Sequence, residues 1–143
     1  MGELRYEVLD EGPGTIVFRV RKGAWGIWVR LGAKALDIGE ATVPLTPATG
    51  LVLSARAGAR IGPDEVAELA RGLRIALERS ALAAPPRVIA VEELVFPGAD
   101  YQPNGPAAAG YAWVAAAFGV ELPPIAIRFD AAANAYEIGF PPA

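Results

Sequence analysis

The side chains that could do chemistry in this sequence are carboxylates, lysines, tyrosines, serines and threonines, because it contains neither histidine nor cysteine. Without histidine, the usual general base near neutral pH and the commonest metal ligand are missing. Without cysteine, there is no thiol nucleophile, thiolate metal site or disulfide. Ser–His–Asp, Cys–His and zinc chemistries are therefore excluded, and we expect neither a cofactor nor a metal.

Carboxylates are the remaining candidates for acid–base work. Glu92 and Glu93 are adjacent in a strand-like run, and successive side chains of a strand point to opposite faces, so we predict structural roles rather than a catalytic pair. The glycines fit neither the dinucleotide-binding nor the phosphate-binding loop pattern. A carboxylate-dependent enzyme with Glu93, Asp100 and Tyr101 around a pocket stays open as an alternative, but we predict no catalytic residue.

A basic and aromatic stretch offers a different chemistry. Between Gly12 and Leu36 there is no acidic residue, and the stretch contains Arg19, Arg21, Lys22, Trp25, Trp28, Arg30 and Lys34. On a β-hairpin such residues could bind single-stranded RNA, with phosphates on the cations and bases stacked on tryptophan. The chain has a net charge of −3, however, whereas nucleic-acid modules normally carry a basic surplus. The sequence therefore favours a solvated strand face with the tryptophans in the core.

A polar loop between an apolar strand and an alanine-rich helix is the last candidate site. It runs from Pro97 to Gly105, and its candidate binding residues are Asp100, Tyr101, Gln102 and Asn104. Loops on a rigid scaffold often carry function. Asn104 is also a good N-cap for the helix that follows. Binding and purely structural roles are equally supported here.

The periodicity of apolar residues predicts the elements that must position these residues. Predicted strands cover residues 4–8, 16–21, 25–31, 51–55, 87–96, 125–129 and 136–140, with helices starting near Pro63 and covering 105–118. The segment from Gly32 to Gly50 is predicted to be a loop or a ragged edge. Asp130 and Asn134 are predicted to form a hairpin turn.

The order of these elements predicts an α+β fold in a single domain over residues 1–143. We expect a two-layer sandwich with the order β-β-β-β-α-β-α-β-β, in which two helices cover one face of a mixed or antiparallel sheet of about five to seven strands. The strand that starts at Val88 is apolar on both faces, which is typical of a central strand.

No segment of the sequence predicts a membrane span or a secretory signal. Residues 1–10 are charged and alternating, and the longest uncharged run, residues 101–120, is interrupted by Pro103 and Pro106. Only about 14 of its residues could be continuously helical, whereas a bilayer requires about 20. We therefore expect a cytoplasmic protein without membrane contact.

From Gly50 onward the sequence resembles the fourth domain of translation elongation factor G, which has the fold of the second domain of ribosomal protein S5. The residues that carry the resemblance are Gly50–Leu53, Ile61–Glu65, Ser80–Ala83, Arg87–Leu94, Gly98–Asn104 and Ala117–Phe118, and more weakly Arg21–Gly26. The match covers about two thirds of the chain. A GTPase domain and the family's histidine or acidic pair in the second loop are missing, and a C-terminal hairpin is added.

The resemblance implies two tip loops that contact RNA at the ribosomal decoding centre. By position these loops are Arg21 to Gly26, including Lys22, Gly23 and Trp25, and Asp100 to Asn104. One superfold hosts many activities, so the resemblance supports the fold more than the function.

The sequence as a whole favours a non-enzymatic binding or interaction domain of unknown partner, without deciding against an enzyme. Apolar surface expected on the helix 107–120 and at Trp25 and Trp28 suggests self-association. An RNA- or ribosome-contacting module that uses the basic hairpin and the polar loop is the alternative.

Overall fold

The first three strands follow directly from alternating apolar residues. In the computed structural model they form an antiparallel meander of β1 (Tyr6–Asp10), β2 (Thr15–Lys22) and β3 (Trp25–Leu36). Phe18, Val29 and their neighbours on one face are fully buried. The structure describes residues 4–22, 25–36, 43–46, 51–53, 62–82, 88–96 and 102–141.

Seven further elements complete the described chain. They are β4 (Val43–Thr46), β5 (Leu51–Leu53), α1 (Pro63–Ser80), β6 (Val88–Val95), α2 (Gly105–Phe118), β7 (Ala126–Asp130) and β8 (Ala135–Gly139). One sheet has the strand order β1-β2-β3-β6-β5-β4, in which only β5 and β6 run parallel. The hairpin β7–β8 forms a second, two-stranded sheet.

The predicted fold class, an α+β two-layer sandwich with a mixed sheet, is confirmed. The predicted element order is wrong at one point, because five strands precede α1 and not four. The segment from Gly32 to Gly50 was predicted to be a loop or a ragged edge; β3 continues into it as far as Leu36, and β4 within it is an edge strand of the sheet. The end of β3 is stabilised by pairing with β6, which is distant in sequence and leaves no local signal, whereas β4 pairs with β5, which begins five residues after β4 ends.

The helix α1 has the start that its sequence predicts. Pro63 occupies its first turn together with Asp64 and Glu65, which suit the positive end of the helix dipole. Its apolar stripe, which includes Leu69 and Leu73, is buried. The helix ends at Ala81, which adopts the left-handed conformation of a C-terminal cap.

The helix α2 is apolar on all sides and lies at the centre of the molecule. Residues 105–114 are all buried, and the helix packs against β2, β3 and α1. Where it crosses α1, a Cβ atom built on Gly72 would lie 1.9 Å from the backbone oxygen of Ala107. Only a glycine allows this close approach of the two helices.

The C-terminal hairpin packs against the ends of several elements. Leu4 donates its N–H to Ile127 O at 2.7 Å, and Arg79 donates to Pro141 O at 3.0 Å. Asp130 Oδ1 accepts bonds from the N–H groups of the turn, and Asn134 has a φ of 52°, so the predicted turn is confirmed. No helix within the described ranges is long and apolar enough to cross a membrane.

Candidate functional site

The outer side of β1 offers unpaired backbone groups. Glu11, directly beyond β1, donates its N–H to Thr15 O at 3.0 Å, so its backbone faces β2. In an antiparallel pair, residues that face the partner strand alternate with residues that face away. Tyr6, Val8 and Asp10 therefore direct their N–H and C=O groups outward. The outward bond from Leu4 to Ile127 confirms this alternation.

No described strand covers the central part of this edge. β1 is the terminal strand of the six-stranded sheet, and the backbone bonds of the described residues include none to the outward groups of Val8 or Asp10. Exposed edges are usually protected by proline, a bulge or charged side chains, above all lysine. The opposite edge strand, β4, contains Pro44, whereas β1 has a regular register, no proline or lysine, and only the acids Glu7 and Asp10 as charged residues. The side chain of Val8 is 40% exposed.

A groove runs between β1 and α2 beside this edge. Its first part has a volume of about 590 Å³ and lies between the β1–β2 turn and the C-terminal end of α2. Its lining residues are Val8, Asp10, Gly12, Pro13, Gly14, Thr15, Ile16, Trp113, Ala116 and Ala117. Trp113 fixes this wall, because its Nε1 donates to Gly14 O at 2.9 Å while the ring is fully buried.

The second part of the groove has a volume of about 310 Å³ and shares Val8 and Ala116 with the first. Its lining residues are Tyr6, Val8, Tyr111, Ala112, Ala115, Ala116, Leu122, Pro123 and Ile125. The two parts therefore form one groove along β1. Its helical wall contains Tyr111, Trp113 and four alanines, and the small alanine side chains leave room for larger side chains of a bound segment.

Two tyrosines in the second part of the groove bond to the segment that precedes β7. Tyr111 donates its hydroxyl to Pro123 O at 2.6 Å, and Tyr6 accepts the N–H of Ile125 at 3.3 Å. Burial, and to a lesser extent the nearby Tyr6, raises the pKa of Tyr111 above its usual value of 10.0, while Arg79 acts in the opposite direction. Tyr111 is therefore a neutral hydrogen-bond donor near pH 7, with a structural role.

Three cations of the basic stretch lie on the open face of the sheet in ion pairs. Arg19 binds Glu7 at 3.0 Å, and Lys34 lies 3.5 Å from Glu92. Arg30 binds two carboxylates, Glu11 at 3.0 Å and Glu93 at 2.6 Å. These acids come from β1, the turn after it and β6, so the charges of these three cations are balanced by residues from outside the stretch.

Trp28 does not lie in the core, contrary to the prediction for the tryptophans of this stretch. It is half-buried and faces Arg19 across the β2–β3 pair. The reason is the phase of β3, since Ile27 and Val29 take the buried face. Trp113, for which no role was predicted, is fully buried in the core.

The prediction that Glu92 and Glu93 point to opposite faces is also wrong. A bulge at this point puts Glu93 opposite Gly32 and Val91 opposite the next residue of β3, so Glu92 is the extra residue. Both carboxylates reach cations of one face, Lys34 and Arg30. Each carboxylate has its own cation, which supports the predicted structural role for both.

The predicted first loop is only partly described. Arg21 and Lys22 end β2, where they pair in register with Gly26 and Trp25 of β3. Gly23 lies outside the described residues. The structure thus brings Lys22 and Trp25 together at one end of the hairpin.

The predicted second loop is described from Gln102 onward, and Asp100 and Tyr101 lie outside the described residues. Gln102 is buried, and its backbone oxygen accepts the N–H of Gly105. Asn104 stands at the N-cap position of α2, but its side chain makes no capping bond. Its Nδ2 donates instead to Tyr136 O at 2.9 Å, because the C-terminal hairpin offers this acceptor.

The groove was not predicted from the sequence. Its two walls, β1 and α2, are about 100 residues apart in sequence. The bond from Trp113 to Gly14 spans the same separation. A signal was present, since β1 has neither proline nor lysine. The predicted apolar surface of the helix 107–120 is wrong for its first part, which is buried inside the chain, and right only near Ala116 and Ala117, which are exposed.

Comparison of the chain with protein-family models, with curated proteins and with solved structures finds no match. The resemblance to the fourth domain of elongation factor G therefore stays a prediction. Within the described ranges, no group of three acidic side chains is placed to hold a metal ion. The function has to be argued from the geometry of β1 and the groove.

Proposed function

We propose that this domain is a protein-interaction module that binds an extended segment of another polypeptide along β1. The observation that carries the proposal is the position of the outward backbone groups of Val8 and Asp10 directly beside an apolar groove. In strand addition, backbone bonds to a sheet edge supply affinity, and pockets for alternate side chains supply specificity.

The dimensions of the groove support this mode of binding. Alternate side chains of an added strand point to the same face, about 6.8 Å apart. The two parts of the groove meet at Val8 and Ala116, so side chains two residues apart would enter one part each. Asp10 lines the first part, where no described cation pairs with it, so a basic residue of the segment is favoured there.

A selection of random peptides displayed on phage, against the immobilised domain, tests the proposal. Selected peptides should alternate apolar residues and bind with measurable affinity in isothermal titration calorimetry. Val8→Pro removes an outward N–H without breaking a bond to β2, and should weaken binding about tenfold or more. Val8→Ala keeps that N–H and serves as the matched control with a smaller loss.

A second variant tests whether a loss of binding could come from a change of fold. Ala116→Trp fills the groove from an exposed helical position and should also weaken binding, while the melting temperature stays within a few degrees of the parent. Peptides that bind Val8→Pro and Ala116→Trp as tightly as the parent would refute the proposal. So would a selection that yields no binding peptide.

RNA contact is the weaker candidate because Arg19, Arg30 and Lys34 on the open face of β2 and β3 are matched by carboxylates. Neutralised cations release few counterions when RNA binds, and this release supplies most of non-specific affinity. An enzyme is less favoured still, since Glu93 is bound to Arg30 and does not line the groove.

A further inference from the structure

We infer that the segment bound along β1 is β1 of a second copy of this chain, paired antiparallel about a two-fold axis through Val8. The inference rests on the proposed strand addition and names its partner. Two copies would then share one continuous sheet, with both α2 helices on the same side.

The pairing geometry leaves few registers. A two-fold axis perpendicular to the sheet passes through one residue of β1, which then faces its own copy. Residues that direct their backbone outward must pair with each other, and these are Tyr6, Val8 and Asp10. The axis can therefore pass through any residue from Tyr6 to Asp10, and charge decides among these positions.

Like charges exclude three of the five registers. With the axis at Glu7, this carboxylate faces its own copy, and at Asp10 the same holds for Asp10. With the axis at Leu9, Glu7 faces Glu11 of the second copy. Like charges directly opposite each other destabilise a strand pair.

The register centred on Tyr6 is excluded by a bond that already exists. It would place Val8 of the second copy, the middle of its β1, opposite Leu4, whose outward N–H is already bonded to Ile127. In the Val8 register the residue opposite Leu4 is Gly12, which lies in the turn beyond β1. The remaining register, centred on Val8, places Arg5 opposite Glu11 of the second copy, and Tyr6 opposite Asp10. It therefore combines two opposite-charge pairs with backbone bonds along the uncovered part of the edge.

The Val8 register also covers the exposed apolar surface of the edge. Val8, which is 40% exposed, would face Val8 of the second copy. The two grooves open toward each other across the axis, because α2 lies on the same face of both sheets. The dimer thereby protects an edge that lacks the proline present on β4.

Sedimentation equilibrium of the full chain from about 1 µM to 1 mM tests the inference. The parent protein should form dimers. Arg5→Glu should weaken the dimer at least about fivefold, because it sets a carboxylate opposite Glu11, and Arg5→Glu combined with Glu11→Arg should restore it. Val8→Pro should abolish the dimer. Arg74→Glu, on α1 and away from β1, is the control and should change nothing.

Disulfide cross-linking tests the register directly. The chain has no cysteine of its own, so any disulfide must form between the introduced cysteines. In Val8→Cys the two thiols lie on Cα atoms about 5.5 Å apart, which suits a disulfide. Val8→Cys should therefore give a covalent dimer under mild oxidation, and Arg5→Cys should not.

Three results would overturn the inference: a monomer at 1 mM, a dimer that is insensitive to Val8→Pro, or a charge exchange that does not restore dimerisation. The peptide selection then separates the two proposals. If library peptides still require the outward N–H of Val8, strand addition stands and only the identity of the partner is wrong. If they do not, both proposals fail.

Discussion

We predict that Gly72→Ala destabilises the domain by about 2 kcal/mol, although alanine is the better helix former. Gly72 lies in α1 where this helix crosses α2, which forms one wall of the groove. A Cβ atom at this position would lie 1.9 Å from the backbone oxygen of Ala107 and 2.6 Å from its carbonyl carbon. Both atoms belong to a helical backbone, so no side-chain rotation can relieve the clash.

Two opposing terms set the magnitude. Replacing glycine by alanine inside a helix contributes about 1 kcal/mol of stability. Against this, the helices must separate by about an ångström before the new contact reaches the 3.0 Å below which Cβ contacts essentially never occur. Overpacking of this kind costs about 3 kcal/mol at the upper end of the usual range. The difference lowers the melting temperature by roughly 4–8 °C.

Gly110→Ala is the matched control from the other side of the same crossing. Its Cβ would lie 3.0 Å from Leu69 O and 3.1 Å from Leu69 Cδ1, so shifts of a few tenths of an ångström suffice. We expect its free energy of unfolding to stay within about 1 kcal/mol of the parent. Urea denaturation with constant slope measures both variants. A Gly72→Ala protein as stable as the parent, or more stable than Gly110→Ala, would refute the reasoning.

The remaining predictions concern single side chains. Tyr111→Phe should lower the free energy of unfolding by about 1 kcal/mol at pH 7, because the bond to Pro123 O is lost. Since the pKa of Tyr111 is raised, its contribution is fully present below pH 10 and lost as pH rises through the folded-state value, so the difference between parent and variant should shrink above pH 10 in urea titrations. Arg30→Gln should cost about 1 kcal/mol, less in 1 M NaCl, because its two ion pairs are partly exposed; a salt-independent loss would contradict this.

Local sequence patterns were enough to predict β2, β3, β6 and the start of α1. The alternation in β2 and β3 sets which side chains are buried, and Pro63 with its two carboxylates marks the start of α1. The apolar run at Val88 correctly predicted a central strand, since β6 pairs with both β3 and β5.

Two of the missed features, the bulge in β6 and the side-chain bond of Asn104, depend on partners distant in sequence. β4 is different, because its partner β5 begins five residues after it ends, and its proline is tolerated on an edge strand. The bulge at Glu92 depends on how β3 meets β6, and no pattern within β6 alone predicts it. Asn104 has the right residue type for an N-cap, but the backbone oxygen of Tyr136 competes for its side chain.

The first part of the groove and the tip of the β2–β3 hairpin lie at opposite ends of β2, whereas Tyr6, in the second part, pairs with Val20, two residues before Lys22. The N-terminal end of α2 contacts Ile27 and Val29, near the tip, whereas Trp113 contacts Gly14, beside the groove. The length of β2 separates these ends by about 23 Å. A substitution at Arg21 or Lys22 should therefore leave binding along β1 intact. Because the two surfaces do not overlap, the interaction module proposed here and the RNA-contacting tip implied by the family resemblance can each fail without affecting the other.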